Sequence, residues 1–272
     1  MELSAHSDIL VHWTGRDIEQ QSISEARKGE LYFERLKSIL KFGFWMTIPR
    51  EQESLKINGS EINKPGIPRS CFTELKLSSS EDHAKLYGRL GIGVKRYFLF
   101  DRLGAPINYC QFGTHNHFFP PYSDAITRDD SGKELLAFFK HMCASEDRPL
   151  KYDLYNESEW RIIFSENIKS KLINNGRQDR SDLFVDPKKT ANKEIAEFYA
   201  KLPLENRPEY LIPLDPWLAI IIYPDLRTKA MSIASHEIRE SLEYISIRPT
   251  VTGCPERGFF PTEVDLGACK NF

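Results

Sequence analysis

Apolar and polar positions change period along the chain, and the changes mark the elements. Asp8–Thr14 (DILVHWT) is a short β-rich run ending in His-Trp-Thr. Ser22-Ile23-Ser24-Glu25 has the form of a capping box, in which a hydroxyl and a carboxylate satisfy the free amides of a helix start. Behind it Leu31, Phe33, Leu36, Ile39 and Leu40 recur at helical spacing, and Gly43 suits a left-handed stop. Thr47–Pro68 is polar with Pro and Gly and reads as a loop. Ser70-Cys71-Phe72-Thr73 reads as a strand, after which a serine run opens a helix at Glu81–Leu86 that carries Tyr87. Gly88-x-x-Gly91-x-Gly93 reads as a tight turn and Ile92–Phe100 as a further strand, with strand and turn continuing to Tyr109.

Beyond it, Cys110–Arg128 is aromatic and irregular around Pro120-Pro121, and Lys133–Cys143 has helical periodicity. Glu159–Phe164 predicts a strand, Ser165–Lys193 a polar surface excursion and Glu194–Lys201 a short helix. Leu218–Tyr223 (LAIIIY) predicts a buried strand, Thr228–Leu242 a helix and Tyr244–Arg248 a closing strand, with an irregular tail at 249–272. The sum is an α+β fold in which antiparallel hairpins outweigh regular βαβ winding.

Composition narrows the class. The chain has 272 residues, 40% apolar and 28% charged, and a net charge of −2. That suits a soluble globular protein of one large domain or two small ones, taken as a single domain over 1–272, with no overall charge that demands a nucleic acid or a membrane. No apolar run reaches membrane-spanning length, and MELSAHSD lacks a basic region followed by an apolar core, so the cytoplasm is the expected location. Five scattered cysteines without a C-x-x-C fit reduced thiols.

Three constellations carry candidate chemistry. Glu157-x-Glu159 on a strand would send both carboxylates to one face, where they could stabilise a cationic sugar transition state. The competing reading is a solvated Glu157 and a surface ion pair between Glu159 and Arg161. His12-Trp13-Thr14-Gly15 could hydrogen-bond a ribose diol, or His12 could be a strand-end residue satisfied by backbone. Tyr87 could stack on a planar ring or pack into the core. His115-Asn116-His117 with Cys110 lacks a second ligand pair at finger spacing, so no metal is expected. Basic residues gather at Lys85, Arg89, Lys95, Arg96 and Arg102, and again at Lys169, Lys171, Arg177, Arg180, Lys188, Lys189 and Lys193. They could hold phosphates, or form a face balanced by Asp179, Asp182 and Asp186.

Two resemblances weight these readings. CFTELKLSSSEDHAKLYGRLGIGVKR, NESEWR and SILKFGF resemble motifs of the AbiGi-like abortive-infection proteins of bacteria, over roughly the first 165 residues. More distantly, His12-Trp13-Thr14, Ile39–Phe44, Ser70–Glu74, Ser78–Tyr87 and Glu159 follow the order of motifs in ADP-ribosyltransferases of the PARP and DarT kind. Phe72 or Cys71 stands where those enzymes usually have a tyrosine, and Trp13 where they have a glycine. The resemblance implies a split β-sheet fold that uses NAD as co-substrate, with His12, Trp13, Thr14, Ser70, Phe72 and Tyr87 at the dinucleotide, Glu159 at the nicotinamide ribose and Glu157 activating the acceptor. It also implies a phage-defence toxin that modifies RNA, DNA or protein and has a neutralising antitoxin. The rival is a non-catalytic antitoxin or sensor on the same scaffold.

Overall fold

A computed structural model of the chain describes residues 7–57, 60–74, 80–110, 130–143, 154–174, 180–251 and 260–269. It is a mixed α and β protein containing a large mixed sheet. In chain order the elements begin β1 (Ile9–Thr14), α1 (Arg16–Glu19), α2 (Glu25–Phe42), β2 (Phe44–Met46), β3 (Ser54–Ile57), β4 (Ser60–Asn63) and β5 (Arg69–Glu74). They continue α3 (Ser80–Tyr87), β6 (Leu90–Lys95), α4 (Arg96–Asp101), β7 (Ala105–Pro106), β8 (Asn108–Cys110), α5 (Asp130–Glu134), β9 (Phe139–His141), β10 (Glu159–Ile163) and α6 (Glu166–Asn174). Last come α7 (Lys193–Lys201), β11 (Tyr210–Ile212), β12 (Leu218–Tyr223), α8 (Leu226–Ala234), α9 (His236–Ser246), β13 (Thr262–Asp265) and α10 (Leu266–Cys269). The chain divides into two compact units, one of 1–44, 72–102 and 212–272, the other of 45–71 and 103–211.

In the first unit the strands run β13-β12-β6-β1-β5. All neighbours are antiparallel except β12 and β13, which are parallel. β1 pairs with β6 over its whole length, setting Val11 opposite Gly93 and Trp13 opposite Gly91. These two glycines lie inside the strand and not in the turn that the spacing suggests. They make room for side chains, since a Cβ at Gly93 would lie 2.3 Å from Ile220 and one at Gly91 3.0 Å from Trp13. Only Gly88 turns the chain, at φ 109°, between α3 and β6. Val11 and Trp13 enter a core with Ala84, Ile220, Ile222, Leu266 and Cys269.

α2 starts two residues later than the capping box predicts, with Ser24 and not Ser22 at the N-cap. The Ser24 hydroxyl accepts from the Arg27 amide, and the helix buries Tyr32, Leu36, Ile39 and Leu40 before stopping at Gly43, φ 94°. The strand expected to Phe100 ends at Lys95, and α4 takes over with Phe98 and Leu99 buried. Arg102 is buried against Asp215 at 2.8 Å and lies 3.7 Å from the Phe98 ring centre. The closing strand expected at Tyr244–Arg248 is instead the end of α9, because Ile238, Leu242 and Ile245 bury one helical stripe. The tail supplies β13 and α10, and Glu263 of β13 is pinned by the Tyr223 hydroxyl at 2.5 Å and by Arg239.

The second unit has more regular structure than its sequence predicts. The Thr47–Pro68 loop contains the β3–β4 hairpin, whose Leu55 packs with Cys110 and Leu136. Lys133–Cys143 is not one helix but α5, a 3-10 turn at Leu135–Phe138 and β9. Leu136, Ala137 and Phe138 are buried in succession, so no single helical stripe can satisfy them. β8 and β9 pair in parallel, and β10 pairs antiparallel with β7. The 165–193 excursion carries α6. No helix among the described residues is long and apolar enough to cross a membrane.

Gly88→Ala should destabilise the first unit by about 2 kcal/mol or more, since it combines positive φ with backbone overpacking. The added methyl would meet the Thr14 carbonyl at 2.3 Å. Denaturant unfolding of the variant should show an earlier midpoint, and an unchanged midpoint would contradict this reading of the turn.

Candidate functional site

The second unit gathers its ionisable groups at the start of β10. Glu157 ends a 3-10 turn, Ser158 takes the left-handed conformation (φ 46°, ψ 50°), and Glu159 opens the strand. The two carboxylates therefore converge through a turn, and not by strand alternation as the sequence suggests. They meet on one ammonium, with Lys140 Nζ 2.7 Å from Glu157 Oε2 and 3.0 Å from Glu159 Oε2. Arg161 donates to the same Glu159 carboxylate, Nε to Oε1 at 2.6 Å and Nη2 to Oε2 at 3.2 Å. Its remaining Nη1 donates to the Ala137 carbonyl. The Tyr109 hydroxyl accepts from the Glu159 amide at 2.9 Å.

The ion pair between Glu159 and Arg161 that competes for this motif is thus present, but it is not on the surface: the side chains are 6% and 3% exposed. Two cations face two carboxylates, so the cluster is internally balanced. Such a group holds together only because each buried charge is paired.

Ionisation follows from that pairing. Burial pushes the Glu159 carboxyl up, but the charges of Arg161 and Lys140, with hydrogen bonds from Arg161 and Cys71, hold it down at about 2. Burial works against the Lys140 ammonium, and Glu159 and Glu157 outweigh it, so its pKa is raised. The Cys71 thiol, a donor to Glu159, is driven by burial and by that carboxylate up to about 12. A thiol held protonated is a poor nucleophile. Beside this group, Arg69 and Lys64 both bind Glu53. The neighbouring Ser70 hydroxyl is buried and finds no partner among the described residues.

The dinucleotide candidates of the first unit divide between two faces. His12 and Thr14 leave one face of β1, where the His12 ring lies 5.0 Å from Phe44 and 5.6 Å from Phe72. Phe72 is 1% exposed and packs as core. Trp13 leaves the opposite face into the Val11 core, and Tyr87 packs against that same core. The structure therefore brings Phe72 to His12 and Thr14 to Arg35, while Trp13 and Tyr87 lie on the other side of β1.

Several basic residues are already engaged. Arg102 is buried on Asp215, Lys85 pairs with Asp82, Arg89 with Glu25, Lys188 with Glu209 and Lys189 with Asp186. Arg177, His115, His117 and Cys254 lie outside the described residues. Among the described residues no three His, Cys, Asp or Glu side chains could hold a metal ion. Lys140 is the member of the cluster that sequence reasoning missed. It sits in a segment of helical periodicity, 17 and 19 residues before its partners, and only the change to β9 turns it toward them.

Compared with known proteins, the chain matches no family model, no curated protein and no solved structure.

The Glu159 pKa lies below its unfolded value of roughly 4.3, so its stabilising contribution is complete above that pH and is lost as pH falls toward 2. Acid titration of the folded fraction should show stability declining through that window, with Glu159→Gln flattening the decline. An equal decline in both proteins would remove Glu159 as its source. Separately, Cys71 in the native protein should resist iodoacetamide at neutral pH and react once the chain is unfolded, as mapped by mass spectrometry. Rapid native labelling would contradict the thiol's hydrogen bond to Glu159.

Proposed function

We propose that the protein is an NAD-dependent mono-ADP-ribosyltransferase of an ADP-ribosyltransferase-like fold, acting as the toxin of a phage-defence system. The observation that carries the reading is the convergence of Glu157 and Glu159 on one ammonium. A site that holds a cation between two ionised carboxylates in a low-dielectric setting also favours a cationic transition state. In the reaction the bond between C1′ of the ribose and the nicotinamide nitrogen breaks, and its electron pair leaves with nicotinamide, which becomes neutral. Glu159 stabilises the oxocarbenium ion and holds the ribose 2′-hydroxyl. An oxygen or nitrogen lone pair of the acceptor then bonds to C1′, and its proton passes to Glu157. Positioning and electrostatics supply the rate.

His12 and Thr14 belong to the other unit, and their ribose contacts rest on the resemblance alone. The acceptor is RNA, DNA or protein, and an antitoxin protein restrains the activity. The alternative reading, a non-catalytic antitoxin or sensor, is favoured by one specific observation: both Glu159 oxygens are already engaged by Arg161 and Lys140. In the enzymatic reading Lys140 yields its place to the substrate.

Expression in a bacterial host separates the two. The wild type should arrest growth, and both Glu159→Gln and the less buried Glu157→Gln should relieve the arrest while remaining folded by circular dichroism. Arrest that persists in folded Glu159→Gln, or no arrest by the wild type, would favour the non-catalytic module.

A further inference from the structure

A cavity of about 430 Å³ opens in the first unit, within the roughly 300–1,000 Å³ range of small-molecule sites. Ala84 of α3 and Leu266 of α10 line it, and both belong to the apolar core that holds Val11 and Trp13. Pro224 and Gly267 extend this apolar lining. None of the residues assigned to the transferase lines the cavity, so the site is separate from that chemistry.

The charged lining comes in both signs. α3 presents Glu81, Ala84 and Lys85 at positions i, i+3 and i+4, which share one helix face. Glu19 of α1 and Arg89, just past the Gly88 turn, complete the set. The buried Tyr32 hydroxyl fixes both of these: it donates to Glu19 Oε1 at 2.8 Å and accepts from the Arg89 amide at 3.0 Å. The Arg89 guanidinium donates to the Pro224 carbonyl at 2.8 Å and to Glu25 at 3.3 Å. Lys85 is 71% exposed and pairs with Asp82 at 3.3 Å, a weak contact between exposed groups that a ligand charge could replace.

Two carboxylates and two cations around an apolar lining select for a particular kind of molecule. A simple anion would face Glu19 and Glu81, and a simple cation would face Lys85 and Arg89, so a ligand of one sign is opposed from part of the wall. A small molecule with both charges on an apolar body matches both signs and covers Ala84 and Leu266. We propose that the cavity binds a free aliphatic α-amino acid. Its ammonium is directed to Glu19 and Glu81, its carboxylate to Lys85 and Arg89, and its side chain to Ala84 and Leu266.

Calorimetric titration of the full chain tests this with four probes. They are L-leucine, 3-methylbutylamine (no carboxylate), 4-methylpentanoate (no ammonium) and glycine (no apolar body). L-Leucine should bind, and each of the others should bind about tenfold more weakly or worse, as expected for loss of a charge-assisted contact or of the buried side chain. Glu81→Gln should weaken L-leucine and the amine about threefold or more and leave 4-methylpentanoate unchanged. Lys85→Gln should weaken L-leucine and 4-methylpentanoate and leave the amine unchanged. Thermal unfolding controls for folding, and a merely structural role for either residue would move all the probes alike. Four results each overturn the site: no binding of L-leucine by the wild type at millimolar concentration, a singly charged probe or glycine that binds as tightly as L-leucine, L-leucine binding unchanged in both variants, or equal weakening of every probe by either variant.

Discussion

The second unit depends on one buried carboxylate. Glu159 lies at the first residue of β10, 6% exposed, and is held by Arg161, Lys140 and Cys71. Stripped of these partners, an ionised carboxylate at this depth would cost far more than a surface charge and would take up a proton. With them it stays ionised, and it draws elements together: β9 through Lys140, β10 through Arg161, and β8 through the Tyr109 hydroxyl on its amide. Removing one member leaves an unpaired buried charge, which typically costs about 3–5 kcal/mol. The cluster therefore has a structural role whatever chemistry it performs.

In the proposed enzyme that structural role would create a tension within the site. Arg161 and Lys140 keep Glu159 ionised and aimed, which any electrostatic role in catalysis requires. The same contacts fill its oxygens. Lys140 is the more exposed of the two cations, at 21% against 3% for Arg161, so in the proposed enzyme it is the partner that a substrate would replace.

Much of the fold was legible because local pattern and burial agree there. DILVHWT and LAIIIY became β1 and β12, and the helical stripe of Leu36, Ile39 and Leu40 became α2. The reading failed where tertiary burial overrode local periodicity. Leu135–Phe138 is too uniformly buried to be one face of a helix, and Tyr244–Ser246 completes a stripe begun at Ile238. Gly91 and Gly93 read as turn residues, yet they serve neighbours contributed by β1 and β12, which no local window contains. The candidate site was legible in part. The Glu157–Glu159 motif and its rival pairing with Arg161 both follow from spacing, but the convergence requires a left-handed Ser158, and its third member, Lys140, arrives from a distant strand. Trp13 and Tyr87 were grouped with His12 by sequence order, whereas strand alternation and helix packing set them on the opposite face of β1.

The most direct test of the catalytic role assigned to Glu159 is transfer of label from NAD by the purified protein to total RNA, fragmented DNA or cell lysate. The account requires label to appear in at least one of the three with the wild type, and to vanish with a Glu159→Gln protein whose fold is intact. Label that moves equally with both proteins, or with neither, would contradict it and leave the Glu159 cluster as a structural element of the second unit.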